Sequence, residues 1–464
     1  MTPVTSFKDK KVALFGLGGS GLISAQALVA GGAKVSVWDD KEAAQEKARA
    51  AGLHVEDLHD ADWKDFSSFI LAPGVPLTHP EPHWSVKKAQ EAGVEIIGDI
   101  ELFCRERNAI SPRSLFVAIT GTNGKSTTTA LVAHLFATFG YDVQIGGNIG
   151  TPILALAPPA DNRVHVIECS SFQIDLAPSL NPWVGVLLNV TPDHLDRHGS
   201  MENYAAIKER LVAGAENAVI CLDDKICLAI AERLKLARKT GTSVSVTHPD
   251  LADGIIYEGT RLIRRVQGRS LSIADLAGIA SLRGRHNGQN AAAAVAALGA
   301  HAFNLELLNK GLQSFPGLPH RMEEVGRLGK ILFVNDSKAT NADAAEKALL
   351  SFDDMFWIIG GRAKEGGIEP LRSLFPKVVK AYLVGEATEA FAQTIGEALP
   401  YERCGSIDAA LQAATRDAEA SSRAAPVVLL SPACASFDQF PDFEKRGDFF
   451  RTLVKDLLSA KQIA

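Results

Sequence analysis

The 464-residue chain has no C-x-x-C pair among its six cysteines, Cys104, Cys169, Cys221, Cys227, Cys404 and Cys434. Thiols scattered in this way argue against a disulfide framework or a cysteine zinc site, and they fit a reducing compartment. The opening MTPVTSFKDKK has no apolar h-region, so no signal peptide is expected. No apolar run reaches the length of a bilayer span, so no membrane insertion is expected and the expected location is the cytoplasm. Positive charge is not in excess: 48 Lys and Arg against 54 Asp and Glu leave a net charge of −6. Bulk attraction to nucleic acid is therefore excluded, and any anionic ligand must be held by local cations. Internal repeats and low-complexity tracts are also missing. What is present, 46% hydrophobic and 22% charged residues, is an ordinary globular composition at a length that predicts about two to four domains.

Three α/β blocks follow one another. The first has strands at 12–15, 34–38 and 69–72, with a glycine turn and a helix after the first of them, and closes on a linker at 105–112. The second has strands at 116–120, 163–167, 184–188 and 217–222, helical periodicity at 202–215 and 291–298, and short antiparallel strands over 242–279. The third follows Phe315-Pro316-Gly317-Leu318-Pro319, with strands at 331–334, 355–359, 380–384 and 427–430. Alternating strands and helices predict parallel sheets covered by helices. The expected domains are 1–110, 111–316 and 317–464.

The most informative stretch is FVAITGTNGKSTTT, residues 116–129. An apolar strand runs into Gly121-Thr122-Asn123-Gly124, then Lys125, Ser126 and Thr127 open a helix. This is the arrangement that grips a nucleoside triphosphate: turn amides face phosphate oxygens, Lys125 supplies a point charge and the Ser126 hydroxyl can ligate Mg²⁺. The P-loop pattern is incomplete, because Ile119 stands where its first glycine would be. A second glycine turn, Gly16-Leu17-Gly18-Gly19-Ser20-Gly21, is a full G-x-G-x-x-G with Asp39 at the end of the next strand. It reads as an NAD site, as a site for another nucleoside diphosphate, or as a purely structural strand–turn–helix.

Further residues gather at strand ends. Glu168 closes a strand in VHVIECSSFQ, where a carboxylate beside a phosphate loop can hold Mg²⁺. His194 and His198 in NVTPDHLDRHG are spaced as a helical metal pair or as surface and capping residues. Lys208 in YAAIKERL is either a solvated lysine or a buried, partly neutral amine able to form a carbamate with CO₂. Asn287 and Asn290 in GRHNGQN are either helix caps or donors to a purine edge.

Together ITGTNGKSTTT, GGNIG, ECSSFQ, NVTPDHLDRH, YAAIK, GRHNGQN, LPHRME, VNDSKATN and SPACASFDQF resemble the Mur ligases, the ATP-dependent amide-forming ligases of peptidoglycan precursor synthesis. The resemblance spans nearly the whole chain. It implies a Rossmann-like N-terminal domain, a central P-loop-type ATPase domain with a mostly parallel sheet plus a small antiparallel sheet, and a Rossmann-like C-terminal domain. VNDSKATN, SPACASFDQF and GLGGSG resemble the branch that adds D-glutamate to UDP-N-acetylmuramoyl-L-alanine through an acyl phosphate. The alternatives are another ligase of the family or an NAD-dependent oxidoreductase.

The resemblance also implies roles by position. Gly121 to Thr127 would bind ATP, with Ser126, Glu168, His194 and carbamylated Lys208 at Mg²⁺. Asn287 and Asn290 would face adenine, Arg321 would reach an ATP phosphate, and Asp336 would hold the ribose. Ser20, Asp39 and Gly74 would meet the uridine diphosphate, and Asn148 would lie near the substrate carboxylate. Lys338, Thr340, Lys364, Ser436 and Phe443 would form the D-glutamate site. Lys125, Glu168, His194, Lys208 and Arg321 would be the catalytic set of a monomeric enzyme. Lys41 stands where arginine is expected, and Arg362 where a small or acidic residue is expected.

Overall fold

The computed structural model describes residues 1–299, 301, 304–364 and 366–463. The first sheet joins β1 (Lys11–Phe15), β2 (Lys34–Trp38), β3 (His54–Val55), β4 (Ser68–Leu71) and β5 (Ile96–Ile97) in the order β3-β2-β1-β4-β5. Its recorded pairings are all parallel. Beyond the exposed Lys11 and Lys34 that open them, the central strands are largely buried and mostly apolar, as a sheet covered on both faces requires.

The second sheet contains β6 (Leu115–Thr120), β7 (Asp142–Gly147), β8 (Arg163–Glu168), β9 (Val184–Leu187), β10 (Asn217–Cys221), β11 (Gly241–Ser245), β12 (Gly254–Glu258), β13 (Arg261–Val266) and β14 (Arg269–Asp275). Their order is β14-β13-β12-β11-β10-β9-β6-β8-β7. The antiparallel strands expected over 242–279 are β12 to β14, and they continue the parallel sheet: β11 pairs in parallel with both β10 and β12. The third sheet, β15 (Glu323–Leu328), β16 (Ile331–Asn335), β17 (Met355–Gly360), β18 (Val378–Val384), β19 (Tyr401–Gly405) and β20 (Val427–Leu430), has the order β15-β16-β20-β17-β18-β19, with β15 antiparallel.

The strand orders decide where ligands can sit. In each sheet one strand is flanked by neighbours whose connections leave in opposite directions: β1 between β2 and β4, β6 between β8 and β9, β20 between β16 and β17. Loops diverge there and leave a crevice at the carboxyl ends of the strands.

The chain forms two compact units, Met1–Ala277 with Asn287–Ser314, and Gly278–His286 with Phe315–Ala464. In the first unit one hydrophobic core runs from Val12 and Leu14 of the first sheet, with Leu28 of the helix covering it, to Ile167 and Leu187 of the second. The charged stretch read as a linker at 105–112 is instead largely the last turns of the helix Asp99–Ile110. Its Glu106 and Arg107 are buried and satisfied. Glu106 accepts from Thr5 Oγ1 at 2.9 Å and Ser6 N at 2.8 Å, and Arg107 donates to Ser114 O at 3.0 Å. Among the described residues no helix is long and apolar enough to cross a membrane.

Candidate functional site

The turn after β6 is held by its neighbours. Asn189, just beyond β9, accepts through Oδ1 from Thr122 N at 3.1 Å and Asn123 N at 2.8 Å, and returns Nδ2 to Asn123 O at 3.0 Å. Gly124 sits at φ +86°, and a β-carbon there would lie 2.5 Å from Asn290 Oδ1, so only glycine fits. The helix Lys125–Thr138 starts directly after it, aiming its first-turn amides into the turn. Lys125 Nζ donates to Gly121 O at 3.0 Å and Thr122 O at 2.8 Å. Asn287 and Asn290 lie inside the helix Arg285–Ala297, so neither is its cap. They bond one another at 3.1 Å, and Asn290 Oδ1 also accepts from Thr128 Oγ1 at 3.3 Å.

Glu168 ends β8, paired in register with Ile119, one turn from the glycines. It is 2% exposed. Oε1 accepts from Asn148 Nδ2 at 2.8 Å, whereas Oε2, equally buried, has no hydrogen-bond donor. A buried carboxylate oxygen with nothing to bind is what a hard cation takes up. Among the described residues no cluster of three or more His, Cys, Asp or Glu could hold a metal unaided.

Lys208 resolves one of the two open readings: it is 1% exposed, not solvated. Nζ donates to Gly121 O at 2.9 Å and Thr120 Oγ1 at 3.3 Å, and lies 4.7 Å from the Tyr204 ring centroid. Burial, followed by the nearby Lys125 charge, pushes its amine down to about 7.

The two histidines do not form a metal pair. His194, at φ 52°, precedes the short helix Leu195–His198, with Nε2 3.4 Å from Asp193 Oδ2. His198 turns away, its Nε2 2.8 Å from Ser171 Oγ and its ring stacked on Phe172. Burial pushes it down to about 4. Both rings pack on Phe172 with centroids 5.1 Å away, but their nitrogens take different partners, Asp193 for His194 and Ser171 for His198.

At the first glycine turn Asp39 faces the backbone. Its Oδ2 accepts from Leu17 N at 2.7 Å and its Oδ1 from Lys41 N at 2.9 Å. A β-carbon on Gly21 would lie 1.8 Å from Gly16 O, which is why the helix Gly19–Ala30 can pack so closely on its strand. Ser20 opens that helix, and its carbonyl accepts from Ser24 Oγ. Gly74, beyond β4, is joined to the second sheet: Arg197 donates to Gly74 O at 3.1 Å and Val75 O at 3.0 Å. The first turn, Asn148 and the turn after β6 therefore belong to one compact unit.

The remaining candidates all lie in the second unit. Arg321 lies between His320 and Met322, whose φ values of 62° and 48° mark a tight left-handed turn before β15. Asp336, just after β16, accepts from Ser431 Oγ at 2.8 Å and Met322 N at 3.2 Å, and its burial pushes the carboxyl up to about 7. Lys338 Nζ lies 4.3 Å from the centroid of Phe443. Thr340 N donates to Lys338 O. Ser436 is 2% exposed, whereas Lys364 faces solvent. Arg362 forks onto Glu386 at 3.1 Å through each of two nitrogens, so its charge is partnered at the surface.

Sequence reading did not single out Asn189, Tyr204, Arg197 or Ser337. Asn189 carried one legible signal, a polar residue ending a strand beside the glycine turn. Tyr204 stands one helical turn before Lys208, a local spacing, whereas Arg197 and Ser337 bond groups distant in sequence, so no local pattern marks them.

Comparison with known proteins agrees with this arrangement. Residues 10–98 match the model of the Mur ligase MurD-like N-terminal domain, residues 119–298 the Mur ligase middle domain and residues 320–434 the Mur ligase glutamate ligase domain. The chain is 58% identical to the UDP-N-acetylmuramoylalanine–D-glutamate ligase of Mesorhizobium japonicum, over all of this chain and 99% of that protein. It is 59% identical to the ligase of the same name from Nitrobacter hamburgensis, over the full length of both. Among solved structures it shares the fold of the UDP-N-acetylmuramate-alanine ligase of Thermotoga maritima, with TM-score 0.57 and 16% identity over 97% of this chain and 100% of that one. MurF from Acinetobacter baumannii gives TM-score 0.58 and 18% identity over 99% of this chain and 93% of that one.

Proposed function

The chain belongs to the Mur ligase family, and from that premise we propose how its own residues divide the work of an amide-forming reaction. It is an ATP-dependent ligase that adds D-glutamate to UDP-N-acetylmuramoyl-L-alanine, releasing ADP and phosphate. The observation that carries the assignment of chemistry to the middle turn is the grouping of Gly124, Lys125, Lys208 and the half-unpaired Glu168 at one strand crevice.

A carboxylate does not exchange oxide for an amine, because oxide is too poor a leaving group. Its oxygen therefore attacks the γ-phosphorus of ATP, ADP departs, and the acyl phosphate formed has a leaving group the amine of D-glutamate can displace. Lys125 and the turn amides steady the phosphates, and positioning does most of the rest. Mg²⁺ held by Ser126 and Glu168, with His194 and Lys208 contributing, would neutralise charge on the transferred phosphoryl group. Lys208 is suited to carbamate formation: its neutral nitrogen adds to CO₂, one N–C bond forms, and one N–H proton leaves to solvent. Arg321 and Asp336 serve ATP from the third domain. Asn287 and Asn290 serve it from the second, either at adenine or by bracing the turn.

Ser20, Asp39 and Gly74 bind the uridine diphosphate handle, and Asn148 the substrate carboxylate. Lys338, Thr340, Lys364, Ser436 and Phe443 receive D-glutamate, whose two carboxylates suit two lysines in an acidic protein. The enzyme acts as a monomer in the cytoplasm. An assay of ADP release across a panel of amino acids tests this reading: turnover should need both the UDP-linked acceptor and D-glutamate. Full-rate turnover without an acceptor would overturn it.

A further inference from the structure

Arg446 is a buried cation bonded only to neutral groups. It lies in the first turn of the helix Phe443–Ile463 and is 2% exposed. Nε donates to Ser337 Oγ at 3.0 Å, and Nη2 donates to Ser337 O at 2.8 Å and Cys434 O at 3.0 Å. Nη1 has no hydrogen-bond partner, and a β-carbon on Gly361 would lie 3.2 Å from it. Asp438 is close enough to be felt electrostatically, but burial outweighs it and pushes the guanidinium down to about 10. An uncompensated buried charge is expensive, and folds seldom keep one without use.

The loops it touches are informative. Ser337 precedes Lys338 and Thr340, Cys434 lies two residues before Ser436, and Gly361 lies three before Lys364. Ser337 Oγ, which accepts from Arg446, itself donates to Phe443 O at 2.8 Å. Arg446 therefore contacts or adjoins each segment that carries a proposed D-glutamate residue.

We infer that Arg446 is a positioning residue of the amino-acid site. Its guanidinium fork locks the loops of Ser337 and Cys434 in register, and its charge awaits the carboxylates of the incoming amino acid. This rests on the D-glutamate reading above. A lysine cannot reproduce the fork, because a single ammonium cannot serve both Ser337 and Cys434 with fixed planar geometry.

The test uses steady-state kinetics of the full chain with ATP, the UDP-linked acceptor and D-glutamate. Losing a charge-assisted contact predicts a KM for D-glutamate raised roughly 30-fold in Arg446→Met and about 10-fold in Arg446→Lys. The KM values for ATP and the acceptor should stay within about twofold. Ser337→Ala, which removes the shared hydroxyl and little volume, should raise the D-glutamate KM a few-fold. In Arg446→Gly, added guanidinium ion should lower that KM again, a rescue that a merely structural role would not show. An unchanged D-glutamate KM in folded Arg446→Met overturns the inference. If that variant does not fold, unchanged values in Arg446→Lys and Ser337→Ala overturn it instead. Wild-type enzyme that ignores D-glutamate would overturn the substrate reading and this inference with it, an outcome distinct from a variant whose KM is unchanged.

Discussion

Two glycine turns in one compact unit share a backbone design and differ in charge. Both follow a central strand, both open a helix, and both need glycine where another backbone or side chain comes close. At the first turn the nearest chemistry is Asp39, spent on the amide of Leu17. At the second, Lys125 and a buried Lys208 both donate to Gly121 O, and Glu168 at the end of the neighbouring strand has one oxygen unpaired. A glycine turn alone holds a phosphate group; a turn with two amines, one of them buried, and an acid with one oxygen unpaired is poised to do something to it.

That contrast can be broken most directly at Lys125. Lys125→Met should lower kcat by roughly three orders of magnitude, as for loss of a preorganised charge-stabilising group, with acceptor KM little changed. A raised acceptor KM at unchanged kcat would reverse the roles of the two turns. Lys208→Ala should lower turnover by about two orders of magnitude, and added formate or acetate should restore part of it. An unimpaired variant would remove the carbamate from the account.

Lys208 also makes a stability prediction. Its amine is pushed down to about 7 in the folded chain, from an ordinary value of 10.5. Between those values the unfolded chain binds the extra proton, so this group's contribution to stability rises with pH through that window. Below about 7 both forms are protonated and the burial penalty is felt in full. Denaturant midpoints in CO₂-free buffer at the two ends of the window should show a rise that Lys208→Met lacks; an equal rise in both proteins would contradict it.

Effects at the first turn should be smaller and of another kind. Gly21→Ala sets a β-carbon against Gly16 O and should raise acceptor KM about tenfold and lower the thermal midpoint, through backbone crowding of the turn. Asp39→Asn should raise acceptor KM only about fivefold, as for one hydrogen bond to a charged group. ATP KM should hold in both, and a shift there would show that the turns are not separate.

The strands and glycine turns were legible because apolar runs and glycine punctuation are local signals. The resemblance gave each candidate residue its role. Two local readings misled. Residues 105–110 look like a charged linker because their charges are visible in sequence, whereas the partners that bury them, Thr5, Ser6 and Ser114, lie on other elements. His194 and His198 have the spacing of a metal pair, but spacing does not reveal that the helix is one turn long. Lys208 could be read either way until its burial was known. Arg446 left no trace, since it acts on carbonyls remote in sequence.

The central proposition is that the middle turn activates the carboxyl group of the acceptor. Acceptor labelled with ¹⁸O in its L-alanyl carboxylate, turned over with ATP and D-glutamate, tests it directly. Activation through an acyl phosphate predicts that one labelled oxygen leaves in the released inorganic phosphate. Phosphate free of label, with both labelled oxygens still accounted for outside it, would contradict the account.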